Sequence, residues 1–167
     1  MLRPFRQRSQ EAPIPRETIP INPIGVVANK EQKPKMRGWE KVESRIVLRP
    51  ELAPALEGLA GHSRVIVVFW MHQVPDLARR RVQHHLHGDE SLPAKGDLAT
   101  KSQNRPNPIG VSAVELLKVE PPELVVRGLD AINGTPVLDI KPYIPDYDSF
   151  PDAAVPPWVY GRFSDGD

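Results

Sequence analysis

Apolar residues in this chain come in short alternating runs rather than at helical spacing. Within Trp39–Leu48, Val42, Ser44, Ile46 and Leu48 fall on alternate positions, the pattern of a half-buried strand. Arg64–Met71 is β-branched and apolar at both parities, which predicts a strand covered on both faces. Ile21–Ala28 predicts a first strand, and Val111–Val119 and Leu124–Leu129 predict two more. The last two are joined by Glu120-Pro121-Pro122-Glu123, a hairpin-like connection. Gly96–Thr100 and Val137–Ile140 are candidate short strands. Pro50–Gly58 predicts one short helix, with Pro and Glu in its first turn and a glycine stop.

About six short strands without regular strand–helix alternation, and without a GxGxxG run, argue against a dinucleotide-type α/β fold. The expected class is mainly β: a single small antiparallel β-barrel domain with one or two short helices. Closure removes the exposed edges that a small sheet otherwise presents. Residues 19–145 form the expected barrel domain. Residues 1–18 read as a disordered or loosely docked basic arm, and 146–167 as an acidic, proline-rich tail anchored by Trp158. His72–Pro93 reads as a long surface excursion.

Composition sharpens this picture. Twenty prolines in 167 residues argue against a helical bundle. The absence of cysteine excludes disulfides, thiolate catalysis and zinc–thiolate sites. No apolar run approaches the roughly 20 residues of a membrane-spanning helix, and the first residues lack the apolar stretch of a secretory signal. A cytoplasmic protein is the simple expectation. Net charge is +1, but residues 1–50 hold 11 Lys/Arg against 5 Asp/Glu, whereas residues 111–167 hold 4 against 10. A basic front half attracts phosphate; alternatively, the two ends meet within the fold or across a dimer.

Two proline-punctuated blocks hold the candidate chemistry. In Gln103-Asn104-Arg105-Pro106-Asn107-Pro108-Ile109-Gly110, prolines rule out a helix or central strand over Arg105–Gly110. A stiff, exposed loop whose carbonyls lack ladder partners is expected, a usual place to hold a ligand. The second block is Gly134-Thr135-Pro136-Val137-Leu138-Asp139-Ile140-Lys141-Pro142-Tyr143. Together they suggest one site built from two loops.

Extended to Gly96–Ser112, the first block resembles the "GvFATRSpxRPNPIGlS" motif of the TrmO/TsaA-like family. Gly128–Tyr143 resembles that family's "GLDllDGTPVLDIKPY" motif, and Phe69-Trp70-Met71-His72-Gln73 resembles its strand ending in "FHQ". The likeness runs from about Pro23 to Trp158, and two long motifs in the right order are far more specific than one short pattern. Three departures stand out: Lys101 replaces an arginine and loses its bidentate fork, Asn133 replaces a turn aspartate, and His62-Ser63-Arg64 stands where the family has "FSH".

The resemblance implies a β-barrel, S-adenosylmethionine-dependent methyltransferase. Its expected target is N6 of threonylcarbamoyladenosine beside the tRNA anticodon, and a homodimer is expected. The alternatives are a cofactor- or RNA-binding barrel without this activity, and a methyltransferase for another substrate. By the same resemblance, the cofactor site comprises Pro34, Lys35, Met36, Met71, His72, Lys101, Val111, Arg127, Gly128, Leu129 and Asp130. Asp130 suits the ammonium or ribose, Lys101 or Arg127 the carboxylate, and carbonyls freed by Pro106 and Pro108 the cofactor amines. An adenine amine needs an acceptor to orient it and to take a proton; Asn107, Asp139 and Tyr143 are the candidates.

Arg105, Lys141, Arg79, Arg80 and Arg81 are candidate RNA contacts, with Arg105 alternatively locking its own loop. His84-His85-Leu86-His87, with Asp89 and Glu90, fits no zinc spacing, so no metal is expected there.

Overall fold

The computed structural model describes residues 18–85 and 90–159. The outer parts of both expected arms, together with His87 and Asp89, lie outside the described residues.

Six strands close into an antiparallel barrel in the order β1-β2-β7-β6-β3-β8. They are β1 (Gly25–Ala28), β2 (Glu43–Leu48), β3 (Arg64–Trp70), β6 (Ile109–Glu120), β7 (Glu123–Arg127) and β8 (Pro136–Pro142). β4 (Gln83–His85) and β5 (Ala94–Gly96) form a separate two-stranded ribbon inside the long β3–β6 connection. The mainly β, barrel-forming expectation agrees with this architecture.

Side-chain alternation builds the interior. Ser44, Ile46 and Leu48 of β2 point inward, as do Val65, Val67 and Phe69 of β3. They meet Val27, Val114, Leu124, Val126 and Val137 in one core. Each fully buried Val or Leu side chain contributes about 1.5–3 kcal/mol. The other parity of β3, Ile66, Val68 and Trp70, is half-buried on the outer wall, as the doubly apolar run predicted.

Three local expectations are corrected. Trp39–Lys41 is a 3-10 turn, so the second strand starts only at Glu43. Gly96–Thr100 is not a strand: β5 ends at Gly96, and Asp97–Ala99 form a 3-10 turn. Pro50–Leu56 is helical but of the 3-10 kind, with Pro54 inside it. Proline at that position has no N–H to give to a regular α ladder.

Topology decides where a site forms. In this strand order, β1–β2 (residues 29–42), β3–β6 (71–108) and β7–β8 (128–135) all connect at one rim of the barrel. The β2–β3 connection, the tight Pro121-Pro122 turn and Tyr143 lie at the other end.

Candidate active site

Asn29 ties the rim together. Its Nδ2 donates to Ser44 Oγ (2.9 Å) and to the Ala131 carbonyl (2.8 Å), while its Oδ1 accepts from the Glu31 amide (3.0 Å). The Asn29 amide in turn donates to Asn133 Oδ1 (3.2 Å), and the Asn133 amide to the Glu31 carbonyl (2.7 Å). Asn133 therefore does the capping that an aspartate would do, and Gly134 follows at φ +79°. The β1–β2 and β7–β8 loops become one rigid wall.

The other wall is the proline loop. Pro108 is buried, and its carbonyl accepts from the Met71 amide at 2.8 Å. The Asn107 carbonyl accepts from the Ile109 amide at 2.7 Å, and the Pro106 carbonyl from Arg79 Nε at 3.4 Å. The carbonyls expected to lack ladder partners each take one bond here: Pro108 at the end of β3, Asn107 within the loop and Pro106 with Arg79. Arg105 reinforces it from the other side, donating to the carbonyls of Asp97 (3.4 Å) and Thr100 (3.3 Å).

Against the first wall, and beside Met71 where the proline loop is anchored, lies a cavity of about 270 Å3. Pro34 and Trp39 come from the first loop, Phe69 and Met71–Val74 from the end of β3, and Asp130–Ile132 from the third loop. Gln103 closes the remaining side. Asp130 is held by the Ser112 hydroxyl, which donates to Oδ1; this leaves the second carboxylate oxygen to a ligand. Gln103 also borders a larger cleft of about 1300 Å3. That cleft is lined by Met36, Arg37, Arg81, His84, Thr100, Lys101 and Trp158, among others. Trp158 is half-buried there with Lys95 Nζ 5.3 Å from its ring centroid, the anchoring expected of it.

Pro34, Met71, His72 and Asp130 thus converge on the smaller cavity, and Met36 and Lys101 on the adjoining cleft. Lys35 stays close but is occupied: it pairs with Glu31 at 2.8 Å and lies 4.9 Å above the Trp39 ring. Leu129 is fully buried in the core, and Gly128 makes the turn after β7 at φ +94°. Arg127 lies on the outer wall, bound to Glu43 (2.7 Å) and Glu115 (3.1 Å). The hydrogen bond it donates to Glu43, helped by Glu115, raises its pKa above the ordinary guanidinium value. Val111 is also on the outer wall, opposite Val68.

The proton-acceptor candidates separate. Asn107 stays on the rim. Asp139 lies on the outer wall beside Val68, paired with Lys141 at 2.7 Å and with its Oδ1 accepting from the Ile140 amide. Tyr143 lies at the opposite end, its amide bound to the Arg64 carbonyl. Seven residues of β8 put about 20 Å between the two ends. The structure does not bring Asp139, Lys141 or Tyr143 to the cavity of their own chain.

Among the arginines, Arg81 lines the cleft and Arg80 is exposed. Arg79 is drawn inward, to Asp76 (2.9 Å), the Pro106 carbonyl and the Trp70 ring (5.2 Å). Among the described residues, no three His, Asp or Glu side chains converge as a metal site would require. Trp39, Phe69, Gln73, Gln103 and Ile132 were missed by sequence reasoning, as was Asn29. The "FHQ"-like end of β3 was the available signal for Phe69 and Gln73.

A closed antiparallel barrel with its cavity between three loops of one rim defines a β-barrel ligand-binding domain of the non-Rossmann kind. The chain belongs to the tRNA-methyltransferase O N-terminal domain family, whose family model matches residues 21–149. An S-adenosyl-L-methionine-binding protein of Archaeoglobus fulgidus is 35% identical over 132 residues, covering 77% of this chain and 91% of that protein. The Homo sapiens tRNA (adenine(37)-N6)-methyltransferase is 40% identical over 115 residues, 68% of this chain and 25% of the human one. The crystal structure of TrmO from Pseudomonas aeruginosa superposes with a TM-score of 0.65 at 33% identity, covering 83% of this chain and 62% of the other.

Proposed function

We propose that this protein is an S-adenosylmethionine-dependent methyltransferase acting on N6 of an adenosine in tRNA, with threonylcarbamoyladenosine beside the anticodon as its substrate. The carrying observation is that Pro34, Met71, His72 and Asp130, spread over almost 100 residues, line one cavity that shares Gln103 with a cationic cleft.

The residues present fit the cofactor. Trp39, Phe69 and Ile132 offer apolar walls for its adenine, and Asp130 an acceptor for ribose hydroxyls or the ammonium. Lys101 at the mouth suits the carboxylate. When bound, S-adenosylmethionine supplies a methyl group on a cationic sulfur. The chain's own contribution is alignment, against the apolar surface of Trp39, Phe69 and Met71. In the cleft, Arg37 and Arg81 suit tRNA phosphates, and Trp158 offers an aromatic face on which a base stacks. This reading makes the protein cytoplasmic, where its tRNA substrate is.

The same reading includes a homodimer. Ile66, Val68 and Val111 form an apolar strip on the outer wall of β3 and β6, with Val111 56% exposed. Such a strip is self-complementary under a two-fold axis. Light scattering across a concentration series tests this; a monomer at all concentrations overturns it, and Val111→Glu should dissociate the dimer.

Transfer of a labelled methyl group to tRNA bearing or lacking the threonylcarbamoyl group tests the activity. Transfer to the modified tRNA alone supports the full reading. Equal transfer to both removes the threonylcarbamoyl requirement, and no transfer despite cofactor binding leaves a binding barrel.

A further inference from the structure

Asp97 is the most deeply buried carboxylate among the described residues, 1% exposed, although it stands next to an open cleft. Its Oδ1 is bound by Nδ1 of His84, and its Oδ2 has no hydrogen-bond partner. The surroundings hold the main chain of Asp97 firmly. The Asp97 amide donates to the Val82 carbonyl (3.0 Å), and its carbonyl accepts from the Thr100 amide, the Thr100 hydroxyl and Arg105. His84 sits on β4, paired with Lys95 on β5, and itself lines the cleft.

A buried carboxylate is stable only beside a proton donor or a cation. With Nδ1–H given to Asp97, the imidazole is fixed in one tautomer and one orientation. Nε2 is then the nitrogen left to accept a proton from a ligand in the cleft. Asn107, Asp139 and Tyr143 offer no such buried, oriented base.

We propose that His84 is the proton acceptor of the methyl-transfer step and Asp97 its positioning residue, a role that rests on the methyltransferase reading above. As the adenine N6 lone pair forms the new nitrogen–carbon bond, the sulfur–carbon bond breaks and its electron pair stays on sulfur as a neutral thioether. The positive charge left on N6, which already carries the carbamoyl group, is relieved when its single proton passes to Nε2 of His84. The base is then in the large cleft, and the cofactor across Gln103 in the smaller cavity. Arg81, His85, Glu90 and Lys101 face the same cleft, and Lys95 and Asp97 flank the ring from β5 and the turn after it.

The test combines nitrogen-15 NMR of the His84 ring with single-turnover kinetics on wild type, His84→Gln and Asp97→Asn. The ring should be neutral with its proton on Nδ1 near pH 8. His84→Gln should slow the chemical step about 100-fold or more. It should leave cofactor and tRNA dissociation constants within about two-fold and remove the acidic limb of the pH–rate profile. Asp97→Asn should shift the tautomer toward Nε2–H and slow the step with it; its amide spectrum checks folding. A ring protonated on both nitrogens from pH 6 to 9 makes the pair a structural ion pair and overturns the proposal. So does a His84→Gln rate within about three-fold of wild type, or an effect confined to tRNA affinity. An inactive wild type overturns the methyltransferase reading and this role together; an active wild type with an equally active His84→Gln overturns the role alone.

Discussion

Gly110 stands directly opposite Phe69, and the Phe69 ring occupies the space a side chain at Gly110 would need. A Cβ built there would come within 3.0 Å of three ring carbons. The final glycine of the proline loop is thus a packing requirement: its absent side chain lets a buried aromatic ring close the floor of the cavity. Gly110→Ala should therefore push Phe69 out of place and destabilise the barrel by about 1–3 kcal/mol. Urea unfolding checks this; an unchanged midpoint would show that the ring yields without strain.

Asp130 is the carboxylate of the smaller cavity, and Ser112 fixes it. A hydrogen bond to a charged group is worth about 1.5–3 kcal/mol, so Asp130→Ala should weaken S-adenosylmethionine binding about 10- to 100-fold. Ser112→Ala, which frees the carboxylate without removing it, should cost less. Calorimetry orders the two; equal affinity in all three proteins would remove Asp130 from the site.

Asn29 joins two rim loops to β2, and Ser44, one of its partners, is buried. Asn29→Leu leaves the Ser44 hydroxyl and the Ala131 carbonyl without that donor, a cost of about 1–3 kcal/mol for each buried group left unmade. Thermal melts should show a clear drop. Cofactor affinity should fall as well, because the two loops that supply Pro34, Trp39 and Asp130–Ile132 to the cavity hang on this side chain.

Lys141 reports on the outer wall. Its hydrogen bond to Asp139, and the charge of that carboxylate, raise the ammonium pKa above its ordinary value of 10.5. A group whose pKa is raised on folding stabilises fully below its unfolded value and loses that contribution as pH climbs through the folded one. Both partners are well exposed, so the effect is small and salt-sensitive. Lys141→Met should differ slightly from wild type in thermal stability at pH 9, and the difference should vanish by about pH 12. A difference that persists there would have a non-ionic origin.

Much of the barrel was legible because alternation is a local signal. Ser44, Ile46 and Leu48 announce an inward face whatever surrounds them. The errors fall where apolar residues serve a turn: Trp39 looks like the start of a strand, but its carbonyl accepts from the Val42 amide to close a 3-10 turn, and its indole N–H donates to the Lys35 carbonyl. The site was half legible. Its motifs named Asp130 and His72, but motif membership does not tell which end of a strand a residue occupies. Tyr143 shares a ten-residue block with Gly134, yet the strand between them carries it to the far end. Asn29 was invisible because its partners lie up to 104 residues away and no local pattern encodes them.

The path of the chain after β8 has a wider consequence. From Tyr143, beside Arg64 at the far end, it returns along the outside of the barrel until Trp158 reaches the cleft. The cleft is therefore walled in part by a strap that lies outside the barrel. Residues in that strap can be exchanged without reopening the core. The chemistry of the cleft and the stability of the fold are in this way separately tunable within one small domain.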